Sequence, residues 1–173
     1  MKTANNIQRR KEHPMEQLEN MEKIEAAQTE LGKYLVSMMP VPWEKICFYA
    51  RCAPGFAQTW FGMIESETGV ICARDFFWNR FDNYQMSERD AMRTLPKLAQ
   101  ALYRAYLERF GQEKIWRLMF LTIESDGKMQ INFEYENLQG NSLEQHDEVF
   151  RRFFGTEYKY YWTKYPSTEK GQR

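Results

Sequence analysis

Apolar residues recur at three- and four-residue steps at Leu18, Met21, Ile24, Leu31, Leu35 and Met38, with Gln28 on the same face. This spacing predicts one amphipathic helix over 15–38, opened by Pro14 and weakened locally by Gly32. Met38-Met39-Pro40-Val41-Pro42 ends it, because each proline removes a backbone donor and biases its predecessor toward extended geometry. The period then changes. Segments 43–52 and 56–65 are rich in aromatic and β-compatible residues and flank the turn Ala53-Pro54-Gly55, and Ser66-Glu67-Thr68-Gly69 leads into a third short segment, 70–73. Together they predict an antiparallel meander. Between Arg74 and Gln85 the apolar residues Phe76, Phe77, Trp78, Phe81 and Tyr84 fit neither period, and the stretch reads as an aromatic loop.

Ser87 has the chemistry of an N-cap, with Asp90 where a capping acid belongs. The apolar positions Met92, Leu95, Leu98, Ala99, Leu102, Tyr106 and Phe110 predict a helix over 88–110, kinked at Pro96 and stopped by Gly111. Segment 115–124 is nearly continuous in apolar residues, as a strand covered on both faces would be, and Ser125-Asp126-Gly127-Lys128 supplies a hairpin turn. On the return strand Met129, Ile131, Phe133 and Tyr135 alternate with Gln130, Asn132, Glu134 and Glu136, so one face meets a core and the other shows amides and carboxylates. A short helix over 143–154 and the aromatic run Tyr158 to Trp162 follow. The fold class predicted is α+β: an antiparallel sheet of about five strands, meander plus hairpin, packed against two long helices with a short C-terminal helix. Residues 1–13 read as a basic flexible tail, 14–165 as one domain and 166–173 as a second tail.

Composition narrows the chemistry. Lys and Arg number 24 against 24 Asp and Glu, so the chain lacks the basic excess of a protein that lives on phosphate backbones, and nucleic acid is not the expected partner. No apolar run is long enough for a membrane span or a signal peptide, which points to a cytoplasmic protein with no membrane partner. The three cysteines, Cys47, Cys52 and Cys72, are too few for a disulfide framework and match no zinc spacing; they read as small buried strand residues. With His13 in a tail and His146 on a polar helix face, acid/base options are narrow. No phosphate loop, nucleophile elbow or metalloprotease helix is present, so neither a cofactor nor a resident metal is expected. One hydrolytic alternative has residues behind it: Asp75 with Glu157 and Lys159 resembles the acid plus Glu-x-Lys set with which some nucleases hold a divalent cation.

The residues favour a binding surface instead. Asp126, Asn132, Glu134 and Glu136 on the last hairpin, with Glu144, Asp147 and Glu148 on the helix after it, put negative charge at one end of a neutral chain and fit a basic partner. Phe76, Phe77 and Trp78 are candidate anchors for such a contact, with core packing as their competing role.

Four stretches carry a resemblance: Met39-Pro40-x-x-Trp43-Glu44-Lys45, Glu124-Ser125-Asp126-Gly127-Lys128, Phe133-Glu134-Tyr135-Glu136-Asn137-Leu138 and Glu157-Tyr158-Lys159-Tyr160. In this order, with the long helix between, the chain resembles the YezG-like immunity proteins over roughly residues 30 to 160. These are the antitoxin partners of bacterial polymorphic and contact-delivered toxins. The resemblance implies an α+β domain that binds and neutralises a cognate toxin domain, often a basic nuclease, inside the producing cell, and it supplies no catalytic residue. Two departures stand out: the extra basic N-terminal segment, and Tyr161-Trp162 where a Leu-Gly ending is expected.

Overall fold

The computed structural model describes residues 14–81 and 84–155. Helix α1 (Pro14–Ser37) leads into strands β1 (Trp43–Ala53), β2 (Phe56–Glu65) and β3 (Ile71–Ala73), followed by helices α2 (Arg74–Arg80) and α3 (Glu88–Phe110). After a single 3-10 turn, Gln112–Lys114, come β4 (Leu118–Glu124), β5 (Met129–Glu134) and helix α4 (Ser142–Phe154). The fold is α+β, and the five strands form one antiparallel sheet in the order β3-β2-β1-β4-β5. β1 is the central strand and β5 an edge.

Alternation along the strands sends side chains into two separate cores. Ile46, Phe48 and Ala50 of β1, Phe61 and Met63 of β2, and Met119, Leu121 and Ile123 of β4 meet α1 and α3 on one face. Cys47, Tyr49, Trp60, Leu118 and Phe120 point the other way and are covered by Val149, Phe150 and Phe153 of α4. α4 lies close over Gly62 of β2: a Cβ there would sit 3.0 Å from Phe154 Cζ and from Trp60 Cη2, so both rings would have to shift by a few tenths of an ångström to admit a side chain.

Several expectations need correction. The aromatic stretch after β3 is not a loop: Arg74–Arg80 is a helix, α2, whose Phe77 is fully buried among Phe61, Trp78, Phe81 and Tyr84. Its short length hid the helical period, because two turns give too few apolar positions to separate it from irregular chain. The first turns of α1 are not core. Leu18 is 63% exposed and Met15 77%. α1 and α3 run antiparallel, with Lys23 against Glu108, Gln28 against Tyr106 and Tyr34 against Met86, so residues ahead of Lys23 pass the end of α3. Tyr135 is 59% exposed rather than core-facing, because β5 stops at Glu134. α3 runs from Glu88 to Phe110 with Pro96 inside it. The tails 1–13 and 166–173 and the run Tyr158 to Trp162 lie outside the described residues.

Candidate functional site

The last hairpin is built by local chemistry. Gly127 takes a positive φ of 85°, which only glycine adopts without strain, and Asp126 Oδ1 accepts from the backbone N–H of Lys128 at 2.9 Å, closing the turn. On β5, Met129, Ile131 and Phe133 are half-buried toward α1 and α3; Phe133 stacks on Trp116 with ring centroids 5.1 Å apart. Gln130 and Asn132 are exposed on the opposite side, as is Glu136 beyond the strand end.

The acids expected to bind a partner turn out to be unequally free. Glu134 is ion-paired to Arg152, whose Nε also donates to Glu148 Oε1 at 2.7 Å and whose guanidinium lies 5.0 Å from the centroid of the Phe120 ring. Glu148 is further paired to Arg151. Glu144 is committed to its own helix: Asn141 Oδ1 accepts from the N–H groups of Leu143 and Glu144, while Glu144 Oε2 accepts from Asn141 N–H at 2.7 Å, a complete capping box. Asp147 is half-buried, and its Oδ1 has no hydrogen-bond partner among the described residues. Among the described residues, Asn132 and Glu136 are thus the two members of the set that are exposed without a structural tie of this kind.

The aromatic anchors sit elsewhere. α2 follows β3 at one edge of the sheet, whereas β5 is the other edge, so the acidic hairpin and Phe76, Phe77 and Trp78 are separated by about four strand spacings, roughly 19 Å. Phe77 is core, and Trp78 is half-buried with its Nε1–H donating to Met86 O at 2.9 Å. Phe76 is half-buried.

A recess that the sequence did not announce lies under the start of α4, a cavity of about 320 Å³ lined by Arg51, Thr59, Trp60, Arg74, Asp75 and His146 among others. Arg74 donates to Thr59 O at 3.0 Å, and His146 Nε2 stands 3.9 Å from Asp75 Oδ2 with its ring edge-on to Trp60. His146 is therefore not a solvent residue. Burial pushes its imidazole below the usual histidine range; Asp75 and Asp147 pull it back up, and Arg74 lowers it further. The signal was present: His146, Val149, Phe150 and Phe153 follow the i, i+3, i+4, i+7 spacing of one helical face, so the histidine belonged to the buried stripe.

Of the hydrolytic set, Asp75 lies in this recess, and Glu157 and Lys159 lie outside the described residues. Among the described residues no group of three or more His, Cys, Asp or Glu side chains is placed to hold a metal ion. The three cysteines are buried and form no disulfide with one another, as expected of small strand residues, and burial raises the Cys47 and Cys52 thiols to about 12, far from the range of a reactive thiolate. No helix among the described residues is long and apolar enough to cross a membrane.

No curated protein matches the chain. A family model described as immunity protein YezG-like matches residues 24–172, which takes in every element from the middle of α1 onward. The chain belongs to the YezG-like immunity protein family.

Proposed function

We propose that this protein binds a cognate bacterial toxin domain, a basic nuclease, inside the producing cell and neutralises it by covering its active site or an adjacent surface, without catalysing a reaction itself. Membership of an immunity protein family over residues 24–172 carries this reading. A nuclease holds phosphate with cations, and an exposed acidic margin on an inhibitor can occupy or shield such a site while steering the encounter. On this chain the margin is the β4–β5 hairpin and its sequel, with Glu136 and Asn132 as the residues available for contact and Asp126 at the hairpin tip. Glu134 and Glu148 shape that margin through Arg152 rather than offering free carboxylates.

The test is co-expression with a candidate toxin domain drawn from the genes that flank this one. Cells carrying both should survive, and a complex should persist through gel filtration. Death as fast as with toxin alone, with no complex recovered, overturns the reading. Within it, the double variant Asn132→Lys/Glu136→Lys should slow association about tenfold or more while circular dichroism stays unchanged, since both side chains face water. Unchanged affinity in that variant places the partner on another surface.

A further inference from the structure

The β1–β2 turn lies against α3, and a groove of about 670 Å³ runs between them. Pro54, Phe56, Pro96, Tyr103 and Leu107 give it apolar walls, and the charged residues on its lining are Lys97 and Arg104, both basic. Its shape is fixed by Gln100, whose side-chain amide donates to Ala53 O at 2.9 Å and to Phe56 O, tying the hairpin to the helix. Phe56 is nevertheless 46% exposed, with the Arg51 guanidinium 5.5 Å from its ring centroid.

Charge along α3 follows the same side. Arg89, Arg93, Lys97 and Arg104 fall within about 80° of helix circumference, a stripe roughly 22 Å long at 1.5 Å per residue. All four are exposed, and among the described residues none is ion-paired to a carboxylate. Arg89, Arg93 and Lys97 stand at successive four-residue steps, where like charges repel one another. The contrast with the acidic set is sharp, because there Glu134 and Glu148 are neutralised by Arg151 and Arg152.

We infer that this groove is a second contact surface for the toxin and receives an acidic segment that lays a large apolar side chain against Phe56, Pro96 and Leu107 while its carboxylates pair with Lys97, Arg104 and the stripe beyond. The inference rests on the toxin-binding reading and adds to it the chemistry of one contacting segment. Charge complementarity selects the occupant, since an apolar trough with an all-basic lining desolvates an amphipathic acidic segment at least cost. A phosphate backbone would use the cations but leave the apolar walls unused, and the chain as a whole carries no basic excess.

The experiment measures affinity for the toxin domain with the full chain, its double variants Lys97→Glu/Arg104→Glu and Arg89→Glu/Arg93→Glu, and Asn132→Lys/Glu136→Lys as reference. A photo-cross-linking residue at the exposed Pro54 identifies the toxin peptide seated in the groove. Both α3 variants should weaken binding, Lys97→Glu/Arg104→Glu by about tenfold or more, with native circular dichroism, and the trapped peptide should carry several carboxylates and a large apolar side chain. If the wild-type chain fails to bind toxin, the toxin-binding reading itself falls. If it binds, and the Asn132→Lys/Glu136→Lys variant is weakened while both α3 variants match wild type, the groove inference alone falls. A neutral or basic trapped peptide also overturns it. So does a short duplex DNA that binds wild type and not the α3 variants while toxin affinity is unchanged, which would make the stripe a nucleic-acid surface.

Discussion

The two faces of the sheet are built from the same strands and covered in different ways. On one, residues of β1, β2 and β4 meet two long helices, and Phe48, Phe61, Leu31, Leu35 and Leu95 are fully buried in one cluster. On the other, Tyr49, Trp60, Leu118 and Phe120 meet the 13-residue α4, which is the helix that covers them among the described residues. Where α4 ends its cover, the strands turn polar: Lys45, Thr122, Glu124, Gln130 and Asn132 occupy the same side of the sheet. The first face therefore serves stability, and the second divides its area between a small core and a polar surface that no other described residues cover. A near-continuous apolar strand such as β4 says that both faces are covered; how far each cover reaches depends on helix length and direction.

The largest expected effect breaks the comparison at its centre. Phe61→Ala empties a fully buried site against Phe77 and Trp78 and should cost about 3–5 kcal/mol of global stability, read from denaturant midpoints. Phe150→Ala removes an equally buried ring under α4, yet its global cost should be smaller, because α4 can open while the sheet stays closed on its other face. Hydrogen exchange distinguishes the two. In Phe150→Ala the α4 amides should exchange fast while β1 and β4 amides keep their protection. Equal loss of protection throughout the sheet would show that the two cores form one cooperative unit.

Much of this architecture was legible because it rests on periodicity. The meander, the β4–β5 hairpin and the three longest helices follow from apolar spacing and turn chemistry, and Ser87 and Gly111 cap α3 as their residue types suggest. What the pattern could not supply was the tertiary partner of each residue. Leu18 satisfies the stripe of α1, but α3 ends before it reaches that turn and leaves the side chain exposed. Glu134 alternates as a solvent residue should, yet Arg152, eighteen positions later, reaches it across the sheet. The apolar spacing of α3 gave no notice of its basic stripe, and the groove beside that stripe depends on Gln100 tying down a hairpin remote in the chain.

A smaller effect concerns the recess under α4. His146 faces Asp75 and Arg74 from α2, Trp60 from β2 and Asp147 on its own helix, and burial holds its imidazole below the unfolded value. A depressed histidine supports the fold above the unfolded pKa of about 6.5, and that support is lost as pH falls through the folded value. Wild type should accordingly lose stability on acidification with a slope of at most about 1.4 kcal/mol per pH unit from this group. His146→Gln should flatten that part of the curve, whatever it does to stability at neutral pH through the lost contact with Trp60. Parallel pH profiles for the two proteins would mean that the ring is solvated and α4 sits looser over this end of the sheet.

The smallest effect tests where the first face stops. Leu18 belongs to the same apolar stripe as Ile24, Leu31 and Leu35, which are buried, and a reading from sequence assigns all four the same weight. The structure does not, because α3 ends at Phe110, opposite the stretch of α1 that begins near Lys23, and the first turns of α1 run on without it. Those turns also precede Ile24, where the match to the family begins. Leu18→Gln exchanges one good helix former for another, so helix propensity changes little, and an exposed side chain gives up little burial. The variant should therefore keep its stability within about 0.5 kcal/mol, whereas Leu31→Ala, four turns further along the same helix, should cost about 2–5 kcal/mol. A large loss at Leu18 would require a cover for the start of α1 that neither α3 nor the sheet provides, and would extend the first face of the molecule beyond the helix pair that now defines it.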